Sequence, residues 1–122
     1  MKILIVEDEK DIRELLAKRL SKSGYEVLSA QDGAGAIEMC RAQRPDLVLL
    51  DIAMPDMDGY QICEKILSDP AAEKTKVLFL TGKELEPKSI LERCETLGAC
   101  GYLSKLATFD ELLQKIKELT SA

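Results

Sequence analysis

The sequence predicts an α/β fold in which a five-stranded parallel sheet is covered on both faces by helices, a doubly wound three-layer arrangement. Three observations predict it. Short apolar runs alternate with amphipathic helical patterns five times along the chain. The runs are apolar at successive positions rather than alternate ones, as suits strands buried on both faces. The 122 residues, 46% apolar and 32% charged, have the size and balance of one ordinary globular core. Strict alternation of strand and helix requires right-handed crossovers, because each helix must return the chain to the same sheet edge.

The first apolar run, residues 3–6, leads through Glu7, Asp8 and Glu9 into a helical pattern with Ile12, Leu15, Leu16 and Leu20 as its inner stripe. That pattern stops at Gly24, which can adopt the left-handed conformation of a helix cap. The second run, 27–30, precedes Asp32, an N-cap for a helix that buries Ala36, Ile37 and Cys40; Pro45 prevents its continuation. The third run, 47–50, ends at Asp51. Asp58 followed by Gln61 then forms a capping-box pattern for a helix burying Ile62, Ile66 and Leu67. The fourth run, 77–80, ends at Thr81 and Gly82, after which Pro87 suits the first turn of a helix that Gly98 terminates. A weaker fifth run, 100–103, precedes Ser104 and Lys105. Thr108 and Glu111 make a capping box for the last helix, with inner stripe Leu112, Leu113, Ile116 and Leu119. There is no repeat or linker, so residues 1–122 read as a single domain.

Composition excludes several classes. A net charge of −5 disfavours a large nucleic-acid or anionic-membrane surface. No stretch approaches the ~20 apolar residues of a membrane span, and the N-terminal run is too short for a signal peptide, so a cytoplasmic location is expected. The four cysteines show no C-x-x-C spacing and the chain has no His, which argues against a zinc site. Cys40 and Cys63 lie in apolar helical stretches and read as small hydrophobes. The absence of His also removes His-based acid–base or nucleophilic catalysis.

In doubly wound sheets, ligands bind beyond the carboxyl ends of the strands, where the strand order reverses. Four runs deliver polar groups to that edge: Glu7 and Asp8, then Asp51, Thr81 and Lys105. Three carboxylates brought together repel one another unless a proton or cation compensates. A hard divalent cation fits an oxygen-only set, and Mg²⁺ characteristically takes one or two carboxylates, waters and a phosphate. With the charge balanced, Asp51 can act as a carboxylate nucleophile toward phosphorus. Lys105 and the Thr81 hydroxyl can then serve the phosphoryl oxygens.

The segments Val6-Glu7-Asp8-Glu9, Asp46 through Asp51 to Met54-Pro55 and Asp58-Gly59, Thr81-Gly82, and Tyr102-Leu103-Ser104-Lys105 resemble the successive motifs of bacterial response-regulator receiver domains. They stand in order and span essentially the whole chain; the D-x-x-M-P-x-x-D-G pattern is the specific one. The resemblance implies a flavodoxin-like fold, an αβα sandwich with strand order 2-1-3-4-5. It implies that Asp51 is the phosphoacceptor in a two-component phosphorelay and that Asp8 and Asp51 bind Mg²⁺ directly. Glu7 would act through ion-bound water, and the Ala53 backbone carbonyl would complete the protein ligands. Thr81 and Tyr102 become a switch pair that biases the face formed by the fourth helix, fifth strand and fifth helix, where a downstream protein or output domain would bind. The phosphoryl donor would be a sensor histidine kinase or phosphotransfer protein, its selectivity read on the first helix around Ile12, Leu15 and Leu16. Further expectations are a monomer or weak homodimer, no direct nucleic-acid binding, no membrane association and no turnover-enzyme activity.

Two positions depart from the family pattern. The family usually carries a cis Pro after the lysine, whereas this chain has Leu106; a cis bond before Leu costs about 3 kcal/mol, so a trans loop is expected, with Lys105 approaching differently. Gly82 stands where Ala is commoner and should loosen its loop. Ala53 and Lys83 fall at positions that tune phosphoryl lifetime, and Ala53 has no side chain to orient a water, which predicts slow self-dephosphorylation. Competing readings are weaker. A phosphatase with an Asp nucleophile needs a second acid at position 53, which is Ala. A flavodoxin-type electron carrier needs a Ser/Thr/Gly-rich phosphate loop where Glu7-Asp8-Glu9 stands. A pseudo-receiver, binding partners without phosphorylation, is the alternative that Leu106 keeps open and the intact acidic set argues against.

Overall fold

The computed structural model describes residues 1–52, 58–82 and 87–120. The elements run β1 (Lys2–Val6), α1 (Lys10–Lys22), β2 (Glu26–Ala30), α2 (Gly33–Gln43), β3 (Leu47–Asp51), α3 (Gly59–Leu67), a 3₁₀ turn (Pro70–Ala72), β4 (Lys76–Thr81), α4 (Pro87–Leu97), β5 (Gly101–Ser104) and α5 (Phe109–Thr120). The strands form one sheet in the order β2-β1-β3-β4-β5, and every adjacent pair is parallel.

Successive strand side chains point to opposite faces, so uniformly apolar strands require two cores. Both exist. Leu4, Val6, Val48, Leu50, Val77 and Phe79 pack beneath α2, α3 and α4 through Ala36, Cys40, Ile62, Cys63, Ile66 and Cys94. Ile3, Ile5, Leu47, Leu49, Leu78 and Leu80 face α1 and α5 through Leu20, Leu112 and Ile116. The two helical layers therefore part at the β1/β3 boundary, where the sheet changes its direction of growth. That is the crevice in which such folds bind ligands.

The anticipated caps form. The Asp32 carboxylate accepts the Gly35 N–H at 2.7 Å, and the Asp58 carboxylate accepts the Gln61 N–H at 2.8 Å. Thr108 and Glu111 exchange both capping-box bonds: the Glu111 N–H donates to Thr108 Oγ1 at 3.1 Å, and the Thr108 N–H to Glu111 Oε1 at 3.2 Å. α2 ends at Arg44, left-handed at φ 47° directly before Pro45.

The structure corrects several details. Leu15 is not part of the inner stripe of α1: it is 52% exposed, and only Leu20 of the four is fully buried. Asp51 and Thr81 are the last residues of β3 and β4 rather than loop residues, and β5 begins at Gly101 rather than Cys100. The 3₁₀ turn, capped by Asp69 accepting the Ala71 N–H at 2.9 Å, went unanticipated because three residues carry no periodicity. Cys40, Cys63 and Cys94 are buried and Cys100 is exposed. Burial pushes the Cys40 thiol up to about 11 and, with help from the nearby Cys94 and Cys100, the Cys63 thiol up to about 12, so these groups are inert packing elements at neutral pH. Among the described residues no helix is long and apolar enough to cross a membrane.

Candidate functional site

The site lies at the carboxyl rim of the sheet. β1 ends at Val6 and hands on Glu7, whose N–H donates to the Ala30 carbonyl at 3.2 Å, carrying the ladder one residue past the strand. Glu7 is completely buried, whereas the adjacent Asp8 is exposed. The turn that bears both is held from α1, where Arg13 donates from its guanidinium to the Glu7 carbonyl at 2.8 Å and to the Asp8 carbonyl at 3.4 Å. Asp51 ends β3 with 3% exposure, its register opposite Leu80 of β4. The next residue, Ile52, donates its N–H to the Leu80 carbonyl at 3.1 Å, so the end of β3 is ladder-bonded up to the loop. Thr81 ends β4, 6% exposed and opposite Ser104 of β5. Carboxylate oxygens of Glu7, Asp8 and Asp51 all lie within 4.8 Å of one another.

Lys105 reaches into this group from the β5–α5 loop. Its ammonium donates to Asp51 Oδ2 at 2.8 Å and to Glu7 Oε1 at 3.0 Å. The Lys105–Leu106 bond is trans, as the sequence led us to expect. Its side chain passes over Gly82, where a Cβ would stand 3.3 Å from Lys105 Cδ. Gly82 thus leaves room for the lysine.

The electrostatics are those of a site built for one more cation. Burial opposes the Lys105 charge, but hydrogen bonds to Asp51 and Glu7 outweigh it and raise its pKa. Burial likewise raises the Glu7 carboxyl to about 7, against the hydrogen bond from Lys105 and with reinforcement from Asp51. Glu7 Oε2 lies 3.0 Å from the ammonium yet accepts no hydrogen bond, a buried oxygen with unused coordinating capacity. An oxygen-only donor set with an unsatisfied buried member fits a hard cation such as Mg²⁺.

A pH dependence follows. An acid whose folded pKa is raised favours the fold fully below its unfolded value, near 4.5, and loses that contribution as the pH rises toward about 7. Thermal melts in chelator should therefore show Glu7→Gln gaining stability relative to the parent between about pH 5 and pH 7.5, because the parent alone loses its proton. An equal difference at both pH values would contradict a raised Glu7.

Of the residues anticipated from sequence, Glu7, Asp8, Asp51 and Lys105 meet directly, and Thr81 ends the strand between those of Asp51 and Lys105. Tyr102 stands opposite Phe79, two residues back from Thr81, half-buried against the core beneath α2, α3 and α4. Ala53 and Lys83 lie outside the described residues. Two contributors had no role assigned from the sequence: Arg13, which was not singled out, and Gly59, which figured only as the end of the D-x-x-M-P-x-x-D-G motif. Arg13 resembles any helix-surface arginine until its carbonyl acceptors are seen. Gly59 packs so closely that a Cβ would stand 2.6 Å from Ile52 Cα and 2.7 Å from the Asp51 carbonyl oxygen. Its place directly after the Asp58 cap was the available signal.

This fold and rim define a class, and comparison with known proteins agrees. The family described as response regulator receiver domain matches residues 3–117, and the chain belongs to it. It is 37% identical over 121 residues to the response regulator MprA of Mycobacterium avium (strain 104), covering 98% of this chain and 50% of that protein. The Mycobacterium leprae MprA is 39% identical over the same length. The chain thus spans about half the length of these curated relatives. Among solved structures, Vibrio cholerae chemotaxis protein CheY4 matches with TM-score 0.88 and 29% identity over 96% of each chain. The Thermotoga maritima response regulator TrrA, solved in complex with Mg²⁺-BeF, matches with TM-score 0.83 and 36% identity over 97% of each chain. The expected flavodoxin-like receiver fold is the one observed.

Proposed function

We propose that residues 1–122 work as a single receiver domain whose Asp51 accepts a phosphoryl group from a phosphohistidine of a sensor kinase or phosphotransfer protein. The observation that carries this reading is the convergence of three carboxylates within 4.8 Å on a lysine ammonium 2.8 Å from Asp51. Glu7, Asp8 and Asp51 would hold Mg²⁺, with the Ala53 carbonyl as a further ligand. The ion would neutralise the carboxylates and draw the phosphoryl oxygens toward them.

The chain's own groups do the rest. The Asp51 carboxylate forms an O–P bond as the donor's P–N bond breaks. Lys105, already held beside Asp51, shifts its ammonium over a short distance to the incoming phosphoryl oxygens and neutralises their charge. The Thr81 hydroxyl, one strand away, donates to another oxygen. Its inward move opens space for the Tyr102 ring, and the two positions bias the face formed by α4, β5 and α5. A downstream protein or output domain reads that face in the cytoplasm. The relation to TrrA, which takes Mg²⁺-BeF, supports the reading by likeness.

The test is direct. Incubated with phosphoramidate and Mg²⁺, the protein should gain one phosphoryl group by intact mass. Asp51→Ala or chelator should abolish the gain. A parent protein that stays unmodified would instead favour a phosphorylation-independent interaction module.

A further inference from the structure

Lys105 has to enter the acidic cluster from a loop that lacks a proline, and the backbone shows what holds it. The Ala107 N–H donates to the Ser104 carbonyl at 3.0 Å, closing a four-residue β-turn with Lys105 and Leu106 at its centre. Neither central residue has a positive φ, which leaves a type I rather than a type II turn. Ser is favoured at the first position of such a turn because its side-chain oxygen can bind the backbone two residues on. Here it does: Ser104 Oγ accepts the Leu106 N–H at 3.0 Å. A proline at 106 would have no such N–H and would be disfavoured at that turn position. On its other side, the Lys105 N–H donates to the Thr81 carbonyl at 2.8 Å, tying the turn to β4. Leu106 consequently points outward, 90% exposed, while Lys105 points inward over Gly82.

We propose that Ser104 is a positioning residue: its hydroxyl locks the Ser104–Ala107 turn and thereby aims the Lys105 ammonium at Asp51 and Glu7. This rests on the role given to Lys105 in phosphoryl transfer. Ser104 touches none of the reacting atoms, and its effect passes entirely through the turn. Loss of the hydroxyl therefore has two consequences of opposite sign. Phosphoryl transfer slows, because the lysine is less often in place. Mg²⁺ binding is unchanged or tighter, because the lysine competes less for the same carboxylates. General damage to the site would weaken both.

Three measurements on the full chain test this: the phosphorylation rate with phosphoramidate at saturating Mg²⁺, Mg²⁺ affinity by calorimetry, and amide hydrogen exchange at Leu106. Ser104→Ala should lose Leu106 protection and phosphorylate about fivefold more slowly, the scale of one ordinary hydrogen bond, with Mg²⁺ affinity at least that of the parent. Ser104→Asn, which keeps an acceptor for the same N–H, should restore the rate to within about twofold. Parent-like phosphorylation in Ser104→Ala would overturn the proposal, as would a slower rate accompanied by weaker Mg²⁺ binding. If the parent itself takes up no phosphoryl group, the functional reading fails first and this inference with it. A competent parent with an indifferent Ser104→Ala sinks this inference alone.

Discussion

Lys105→Ala should slow phosphoryl uptake by roughly 10²–10³-fold, the usual cost of deleting one preorganised donor aimed at developing negative charge. The lysine is the cation that the described structure places against both buried carboxylates, 2.8 Å from Asp51 and 3.0 Å from Glu7. Its removal leaves two acids facing each other with less compensation. Glu7, already raised by burial, then holds its proton to still higher pH, and a divalent cation meets no competitor. Above the pH at which Glu7 ionises, Mg²⁺ should therefore bind more tightly to the variant while the chemistry is slower. Rates by intact mass and affinities by calorimetry read the two effects separately. Near-normal uptake in the variant would remove Lys105 from the mechanism.

The second large effect is on stability. Gly59→Ala should destabilise the protein by about 3 kcal/mol, the upper part of the range for overpacking, because the new methyl meets backbone that cannot rotate away. Ile52 Cα would lie 2.6 Å and the Asp51 carbonyl 2.7 Å from the added carbon, and the Gly59 N–H is bonded to the Ile52 carbonyl at 2.6 Å. For a chain of this size the melting temperature should fall by roughly 12 °C. Gly98→Ala provides a contrast: its φ of 83° makes the substitution costly, but the added carbon would meet only the end of the Leu67 side chain, 3.8 Å away. A Gly59→Ala protein that melts with the parent would show that the start of α3 can move off β3.

Much of this architecture is legible in the chain because its rules are local. Consecutive apolar residues at 3–6 and 47–50 announce strands with two covers, and both covers are present. Asp32, Asp58 and Thr108 announce helix starts through bonds that span three residues. Glu7, Asp8, Asp51 and Lys105 could be grouped because a parallel sheet brings every strand end to one rim. What escaped notice was set by approach in space. Leu15 fits the apolar stripe of α1 by spacing yet lies at its margin, since α1 covers only the β1/β2 side of its layer and leaves a shallow groove of about 270 Å³ toward α5. Arg13 and Gly59 act through backbone carbonyls of residues elsewhere in the chain, and no periodicity encodes that. The Leu106 departure was visible, but the turn that answers it required the register of β4 against β5.

The placement of the chemistry on strand ends has a consequence for how such a protein can change. No carboxylate or ammonium of the cluster is borne by a helix, and Arg13, which is, acts on main-chain carbonyls. Under the proposed function the helix faces bear none of the reacting groups and are coupled to them only indirectly, through the Thr81–Tyr102 switch. They can be recoded for new associates while the acidic rim stays constant, so wiring and reactivity can diverge as separate traits.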